Sequence, residues 1–273
     1  MTENNKNKFI LKEKIKKLES ILKNMGSVVI AFSGGADSSL LLKIAADTLG
    51  NNVIVVTARS PLFPKKELND AKKIAQSFNC RHIFIESNEL KIEEFRNNSK
   101  NRCYICKKDL FLKLITIKDK YELNCVADGT NYNDFHAFRP GLKALTELKI
   151  KSPFLECKIT KEEIRQYSKI LNIKTWNKPP FSCLATRIPY NEKISLLKLH
   201  KIEKAEEYLS KLGFSQFRVR YHHPIARIEV EKSDFAKTTE GRVREEIIKE
   251  FKEIGFKYIT IDLEGYRSGS MDK

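Results

Sequence analysis

The chain has 273 residues, of which 41% are hydrophobic, 10% aromatic and 32% charged, which excludes an intrinsically disordered chain and allows one large domain or two smaller ones. No run approaches the roughly 18 apolar residues of a membrane crossing, and the opening MTENNKNKF lacks the apolar core of a secretory leader, so a soluble, cytoplasmic protein with no membrane partner is expected. Lys and Arg outnumber Asp and Glu by 51 to 35, a net charge of +16; anionic partners fit this balance, although most of the excess is lysine scattered over helical faces, which speaks to solubility rather than to a site.

In chain order, residues 9–24 place Ile10, Leu11, Ile15, Leu18, Ile21 and Leu22 at helical spacing. SVVIAF then reads as a buried strand, the pair Gly34-Gly35 as a tight loop, and SSLLLKIAADTLG as a helix. The alternation continues with a strand at NNVIVVTA, a helix at KKELNDAKKIAQSFN, a strand at RHIFIES, a helix at DLFLKLITIKDKYEL and a strand at NCVADGT. Strands alternating with helices predict an α/β fold with a parallel sheet covered by helices on both faces, and ligands at the carboxyl ends of the strands, after Phe32, Ala58, Glu86 and Ala127. A helix at KEEIRQYSKILN is followed by the Pro-rich TWNKPPFSCLATRIPYN, read as the connection to a second unit. That unit has a helix over 193–212, paired strands at QFRVRYH and ARIEVE, a helix at GRVREEIIKEFKEIG and a last strand at YITIDL. The expected domains are residues 1–175 and a smaller C-terminal α+β domain, 176–273.

SGGADSS, Ser33 to Ser39, lies between a strand and a helix. Glycines let the backbone turn sharply and approach an anion, the helix start offers N–H groups and a partial positive charge, and Ser33, Ser38 and Ser39 add hydroxyls. The seven residues form a phosphate cradle, yet the GxxxxGK[ST] and GxGxxG patterns are both absent. Asp37 beside a phosphate makes sense if it holds a bridging cation, most simply Mg²⁺. This loop resembles the SGGxDS pyrophosphate loop of the N-type ATP pyrophosphatases, which implies cleavage of ATP between its α and β phosphates and adenylation of a substrate oxygen.

Cys103 and Cys106 form a CxxC where a helix should start, with Lys107 and Lys108 beside them, a setting that favours thiolate. Two buried thiols, a redox pair or metal ligands all fit a single CxxC. Cys183 stands in the linker, where loops carry function. Three thiolates without a fourth ligand suit structural zinc poorly and suit an iron-sulfur cluster with one open iron. Cys80, Cys125 and Cys157 fall in apolar or strand-end settings and are read as core. Arg218 and Arg220 alternate on one strand and so share a face, which suggests a bound phosphate, the other reading being surface salt bridges. His136, His222 and His223 are assigned surface or packing roles.

SGGADSS, TARSPLF, NRCYICKK, DGTN, RPGLKA, CLATRIPY, RVRYH, ARIE and DLEGYRSGSM occur in the order seen in the LarE family, from about residue 12 to residue 271. The resemblance implies an ATP-dependent sulfur transferase of nickel-pincer cofactor synthesis. Such an enzyme adenylates a carboxylate of pyridinium-3,5-biscarboxylic acid mononucleotide and places sulfur on it. It implies ATP contacts at Ser33, Gly34, Gly35, Asp37, Ser38, Arg59, Ser60, Asp128 and Arg139, with Asn131 beside them, and substrate-phosphate contacts at Arg218 and Arg220. Cys183, Asp37 and Arg187 would be catalytic. With Cys103, Cys106 and Cys183 all present, the chain resembles the members holding a 4Fe-4S cluster rather than those that sacrifice one cysteine. A small mononucleotide, a sulfide donor and a homo-oligomer are the implied partners. The alternatives are the same reaction with Cys183 as sacrificial sulfur donor, or a tRNA thiolation enzyme of the same superfamily. Against the latter, no pair of CxxC knuckles and no basic tract interleaved with aromatics is present, so nucleic acid is not expected. Asn191 stands where this linker usually has glycine, a small departure because Asn tolerates a left-handed backbone.

Overall fold

The computed structural model describes residues 3–135, 140–179 and 182–271, with side chains from residue 8 onward apart from that of residue 135. Two compact units emerge, one of residues 1–60, 65–89 and 101–181, the other of residues 61–64, 90–100 and 182–273.

In the first unit, strands β1 (Val28–Ala31), β2 (Val53–Arg59), β3 (Arg81–Glu86) and β4 (Cys125–Ala127) form a parallel sheet in the order β3-β2-β1-β4. Val28, Val29 and Ile30 are all fully buried, as they must be in a strand covered on both faces; such strands are unbroken β-branched runs rather than alternating ones. One face packs against helices α1 (Glu3–Met25), α2 (Ala36–Leu49) and α3 (Lys65–Ser77) and the helix Lys161–Ile170. From α1 come Leu11, Ile15, Leu18 and Leu22, spaced as one helical stripe, and from α3 the small residues Ala71 and Ala75. The other face packs on Phe111 and Leu114 of the helix Arg102–Lys120 and on Leu145 of the helix Gly141–Glu147. Ile10 lies off the buried stripe of α1 and is exposed.

The chain runs β1 to β2 to β3 in one direction and then places β4 on the far side of β1. The strand order therefore reverses at β1, and the crevice between the carboxyl ends of β1 and β4 is where open α/β sheets take their ligands. The glycine loop follows β1 and Asp128–Asn131 follows β4.

In the second unit, β5 (Phe217–His222) pairs antiparallel with β6 (Ile225–Val230), which pairs parallel with β7 (Tyr258–Ile261), and the helices Leu196–Lys211 and Gly241–Ile254 supply buried Leu199, Ile202, Leu209, Ile247 and Phe251. Two short segments from earlier in the chain join it through hydrogen bonds: Leu184 N donates to Leu62 O, and Asn98 Nδ2 donates to the carbonyls of Ile188 and Pro189. Asn191 has φ +65°, the left-handed conformation its side chain tolerates. Among the described residues no helix is long and apolar enough to cross a membrane.

On β3, an edge strand of the first unit's sheet, His82 lies between Phe32 and Phe84, its Nε2 2.8 Å from Thr57 Oγ1. Thr57 donates its own hydroxyl proton to Phe32 O, so it accepts from Nε2–H of His82. Burial, then the nearby Arg59 and Lys72, push its pKa down to about 4. Below the ordinary value near 6.5, the unfolded chain takes a proton that the folded chain refuses, so stability falls as pH drops from about 6.5 toward 4. Urea titrations at pH 7 and pH 5 should show the wild type losing about 1 to 2 kcal/mol more than His82→Gln; equal losses would remove His82 from the account.

Candidate active site

Gly34 has φ +70°, and a Cβ there would lie 3.0 Å from Cα and Cβ of Ala71 on α3. Only glycine meets both constraints, the left-handed backbone and the close approach of a helix. Gly35 caps α2 with extended backbone and no side-chain cap bond, so the amides of the first turn keep their donors directed outward. Three hydroxyl contacts shape the loop: Gly35 N donates to Ser33 Oγ at 3.3 Å, Ser33 Oγ and Ser38 Oγ are 3.1 Å apart, and Ser38 Oγ reaches Gly35 O at 3.4 Å. These are long hydrogen bonds. Ser39 is fully buried, and its hydroxyl has no hydrogen-bond partner among the described residues.

The end of β4 closes on this loop. A Cβ on Gly129 would lie 3.1 Å from Ser38 N and 3.2 Å from the carbonyl carbon of Asp37, so the absence of a side chain lets the strand end meet the first turn of α2. Asn131, fully buried, donates from Nδ2 to Asp37 Oδ2 at 3.3 Å. Asp128 accepts from Thr130 N, Thr130 Oγ1 and Ser152 Oγ, and Lys107 Nζ stands 3.7 Å from its Oδ2. Ser33, Gly34, Gly35, Asp37, Ser38, Asp128 and Asn131 thus form one constellation, and Asp37, a carboxylate steadied by an amide on the rim of the cradle, fits a Mg²⁺ ligand. Arg139 lies outside the described residues.

At the end of β2, Arg59 is exposed, stacks over Phe84 at 4.4 Å and faces Glu86 at 3.8 Å. Ser60 is buried and donates to Glu89 Oε2 at 2.7 Å, while Ser87 donates to Oε1 at 2.9 Å. Glu89, itself 2% exposed, has Cys106 Sγ 3.9 Å away. The helix carrying the CxxC begins at Arg102, so Cys103 and Cys106 occupy its first two turns, Cys103 exposed and Cys106 half-buried. Glu89 on one side and the Lys107–Asp128 contact on the other hold this helix start at the carboxyl ends of the strands.

None of the six cysteines is in a disulfide. Burial pushes the thiols of Cys80, Cys125 and Cys157 up, and all three pack in or against the core, as expected. Among the described residues no three Cys, His, Asp or Glu side chains gather as a metal site; Cys103 and Cys106 belong to the first unit and Cys183 to the second. For a cluster, the CxxC pair fits by chemistry: two thiols one helical turn apart at a helix start beside Lys107.

In the second unit, Cys183 precedes the short 3₁₀ turn Leu184–Arg187, and its carbonyl accepts from Thr186 N, Thr186 Oγ1 and Arg187 Nη1. The Arg187 side chain is fully buried. Its Nε and Nη2 donate to the two oxygens of Glu206 at 2.8 and 2.9 Å, and Nη1 donates to Ser182 O, Ser182 Oγ and Thr186 Oγ1, each at 2.8 Å. These contacts make it a positioning residue that orients the Cys183 turn. Arg218 and Arg220 are buried rather than exposed. Arg220 donates to Glu229 Oε2 at 2.7 Å, to Thr186 O at 2.9 Å and to Ser270 Oγ at 2.8 Å. Arg218 donates to Phe217 O and packs over Tyr266. Burial lowers its pKa, the neighbouring Arg187 and Arg220 lower it further, and Glu206 and Tyr266 oppose them. His222 is half-buried with its pKa also lowered by burial, which suits a packing role.

Sequence reasoning missed Glu89, Glu206, Glu229 and Lys178, the last reaching the carbonyl of Gly34. Each acts across a fold contact that no local spacing encodes.

Removing one member of a buried, two-armed ion pair strands the other. Arg187→Met should therefore lower unfolding free energy by roughly 3 to 5 kcal/mol in urea, with part regained in Arg187→Met/Glu206→Leu. A single variant as stable as wild type would show the pair to be dispensable.

A sequence profile of the NAD synthase family matches residues 5–110, which contain the glycine loop. Over the whole chain, an uncharacterised protein of Synechocystis is 38% identical across 97% of this chain and 98% of its own length. An uncharacterised protein of Methanocaldococcus jannaschii is 39% identical across 95% and 100%. The pyridinium-3,5-bisthiocarboxylic acid mononucleotide synthase of Lactiplantibacillus plantarum is 34% identical across 93% of this chain and 92% of its own. With that identity carried across both units and a glycine loop at the sheet's switch point, the chain belongs to the LarE family of ATP-using PP-loop enzymes.

Proposed function

We propose that this chain adenylates a carboxylate of pyridinium-3,5-biscarboxylic acid mononucleotide with ATP and replaces the adenylate by sulfur. The observation that carries the ATP half is the convergence at the switch point of the uncapped first turn of α2, Gly129, and Asn131 bonded to Asp37. Ser33, Gly34, Gly35 and Ser38 take the phosphates, and Arg59, Ser60, Asp128 and Arg139 are assigned to the rest of the nucleotide. Mg²⁺ on Asp37 would neutralise phosphate charge. A substrate carboxylate oxygen attacks the α-phosphorus, the bond from that phosphorus to the α–β bridging oxygen breaks, and pyrophosphate leaves against the N–H groups of the loop. Sulfide then attacks the acyl carbon, the carbon–oxygen bond to the adenylate breaks, and AMP departs from a thiocarboxylate.

The shared face of Arg218 and Arg220 on β5, both buried, supports these two as the holders of the substrate phosphate. Cys103, Cys106 and Cys183 would hold a 4Fe-4S cluster, which supplies bound sulfide when present. Arg187 acts through the Cys183 turn. A sulfide donor and a homo-oligomeric state complete the reading.

Two experiments test it. Pyrophosphate release from ATP should require the mononucleotide and should vanish in Asp37→Ala; release from Asp37→Ala at the wild-type rate would contradict the assignment of the loop. For the sulfur half, anaerobically purified protein should contain iron and sulfide, and Cys103→Ser, Cys106→Ser and Cys183→Ser should each lose the brown absorbance while still releasing pyrophosphate. Colourless wild-type protein that loses about 34 Da per turnover, the mass of one cysteine sulfur leaving with its hydrogens, would replace the cluster by Cys183 as sacrificial donor. Tight, steeply salt-dependent binding of bulk tRNA would favour the thiolation alternative instead.

A further inference from the structure

The seven residues of the glycine loop carry no cation, and their one charged side chain, Asp37, is negative. A lysine nevertheless reaches the loop from 144 positions away: Lys178 Nζ is 3.2 Å from Gly34 O, and its side chain is only 19% exposed. Its other contacts are Glu67 Oε2 at 2.8 Å and Asp70 Oδ2 at 4.0 Å, both on the first turns of α3. Two carboxylates beside one ammonium leave little net positive charge for a polyanion, so direct phosphate binding does not account for this lysine.

What the ammonium does hold is a peptide plane. In a trans peptide the C=O and the following N–H point in opposite directions, so fixing Gly34 O on Lys178 aims Gly35 N–H the other way, toward Ser33 Oγ and the phosphate side of the turn. The plane needs an anchor because glycine on both sides of it leaves its rotation weakly opposed. The bond from Gly35 N to Ser33 Oγ is as long as the one from Lys178 and lacks its charge, so the lysine is the stronger of the two anchors. We propose that Lys178 is a positioning residue for the ATP site: it pins the Gly34–Gly35 peptide so that the Gly35 amide is presented to the phosphates, and Glu67 only keeps the lysine in place. This rests on the loop being the ATP site.

The test is calorimetric titration of the full chain with Mg²⁺ and α,β-methylene-ATP, alongside steady-state kinetics. Lys178→Met should weaken analogue binding by about tenfold or more, the loss expected for one charged hydrogen bond. It should raise the KM for ATP while leaving the KM for the mononucleotide and the thermal midpoint nearly unchanged, and Lys178→Arg should restore most of the affinity. Glu67→Gln, which breaks the ion pair but keeps the ammonium on Gly34 O, should hold affinity within about threefold, as expected for a partly exposed pair. If Lys178→Met binds the analogue as wild type does, or if Glu67→Gln loses as much as Lys178→Met, the lysine is only a strut between segments and the proposal is overturned. Should Lys178→Met fail to fold, the comparison of Lys178→Arg and Glu67→Gln with wild type decides, equal tenfold losses in both overturning the proposal. A wild-type chain that binds no analogue overturns the ATP reading itself and this proposal with it.

Discussion

At the proposed ATP site a triphosphate meets a turn whose only charged side chain repels it, and much of the first unit follows from that constraint. The attraction has to come from backbone amides, which are strong donors only where a helix start leaves them unsatisfied. The parallel sheet provides such a start: β1 runs between β2 and β4, ends where the strand order reverses, and delivers the chain into α2 through two glycines. Gly34 then fits because it can be left-handed against Ala71, and Gly129 because it lets the end of β4 touch the same turn. Asp37 has a place in this arrangement through Asn131, and in the proposed site it supports a cation rather than repelling the phosphates.

The second unit buries its charges instead. Arg187, Arg218 and Arg220 are buried, where an unpaired guanidinium would be costly. Glu206 takes two arms of Arg187, and Glu229 takes one arm of Arg220. Glu206 also accepts from Val219 N, so the helix Leu196–Lys211, strand β5 and the Cys183 turn are tied by one carboxylate. The cost of burying these charges is offset by hydrogen bonds that fix one geometry.

Local pattern made the strands, the long helices and the glycine loop legible, because period and turn chemistry act over a few residues. Asn191 was readable for the same reason: its left-handed backbone is a single-residue property. The burial of Arg218 and Arg220 was not, since alternation on β5 says only that they share a face. Whether that face meets solvent is decided by the register with β6, which puts Glu229 opposite Arg218, and by the tail that brings Ser270 onto Arg220. Lys178 and Glu89 were invisible for a related reason. Their partners, Gly34 in one case and Ser60 in the other, are brought to them by the sheet's topology and not by spacing along the chain. The segments 61–64 and 90–100, which join the second unit, likewise carry no composition shift to mark them.

The central claim is that the loop after β1 activates a carboxylate by adenylation. Isotope exchange reads this step apart from any sulfur chemistry: labelled pyrophosphate should enter ATP only when pyridinium-3,5-biscarboxylic acid mononucleotide and Mg²⁺ are both present. Such exchange requires a reversible acyl-adenylate and needs no iron. Absence of exchange with the mononucleotide, together with release of ADP and phosphate from ATP, would contradict the account, because it would place bond cleavage at the γ-phosphate and not between α and β.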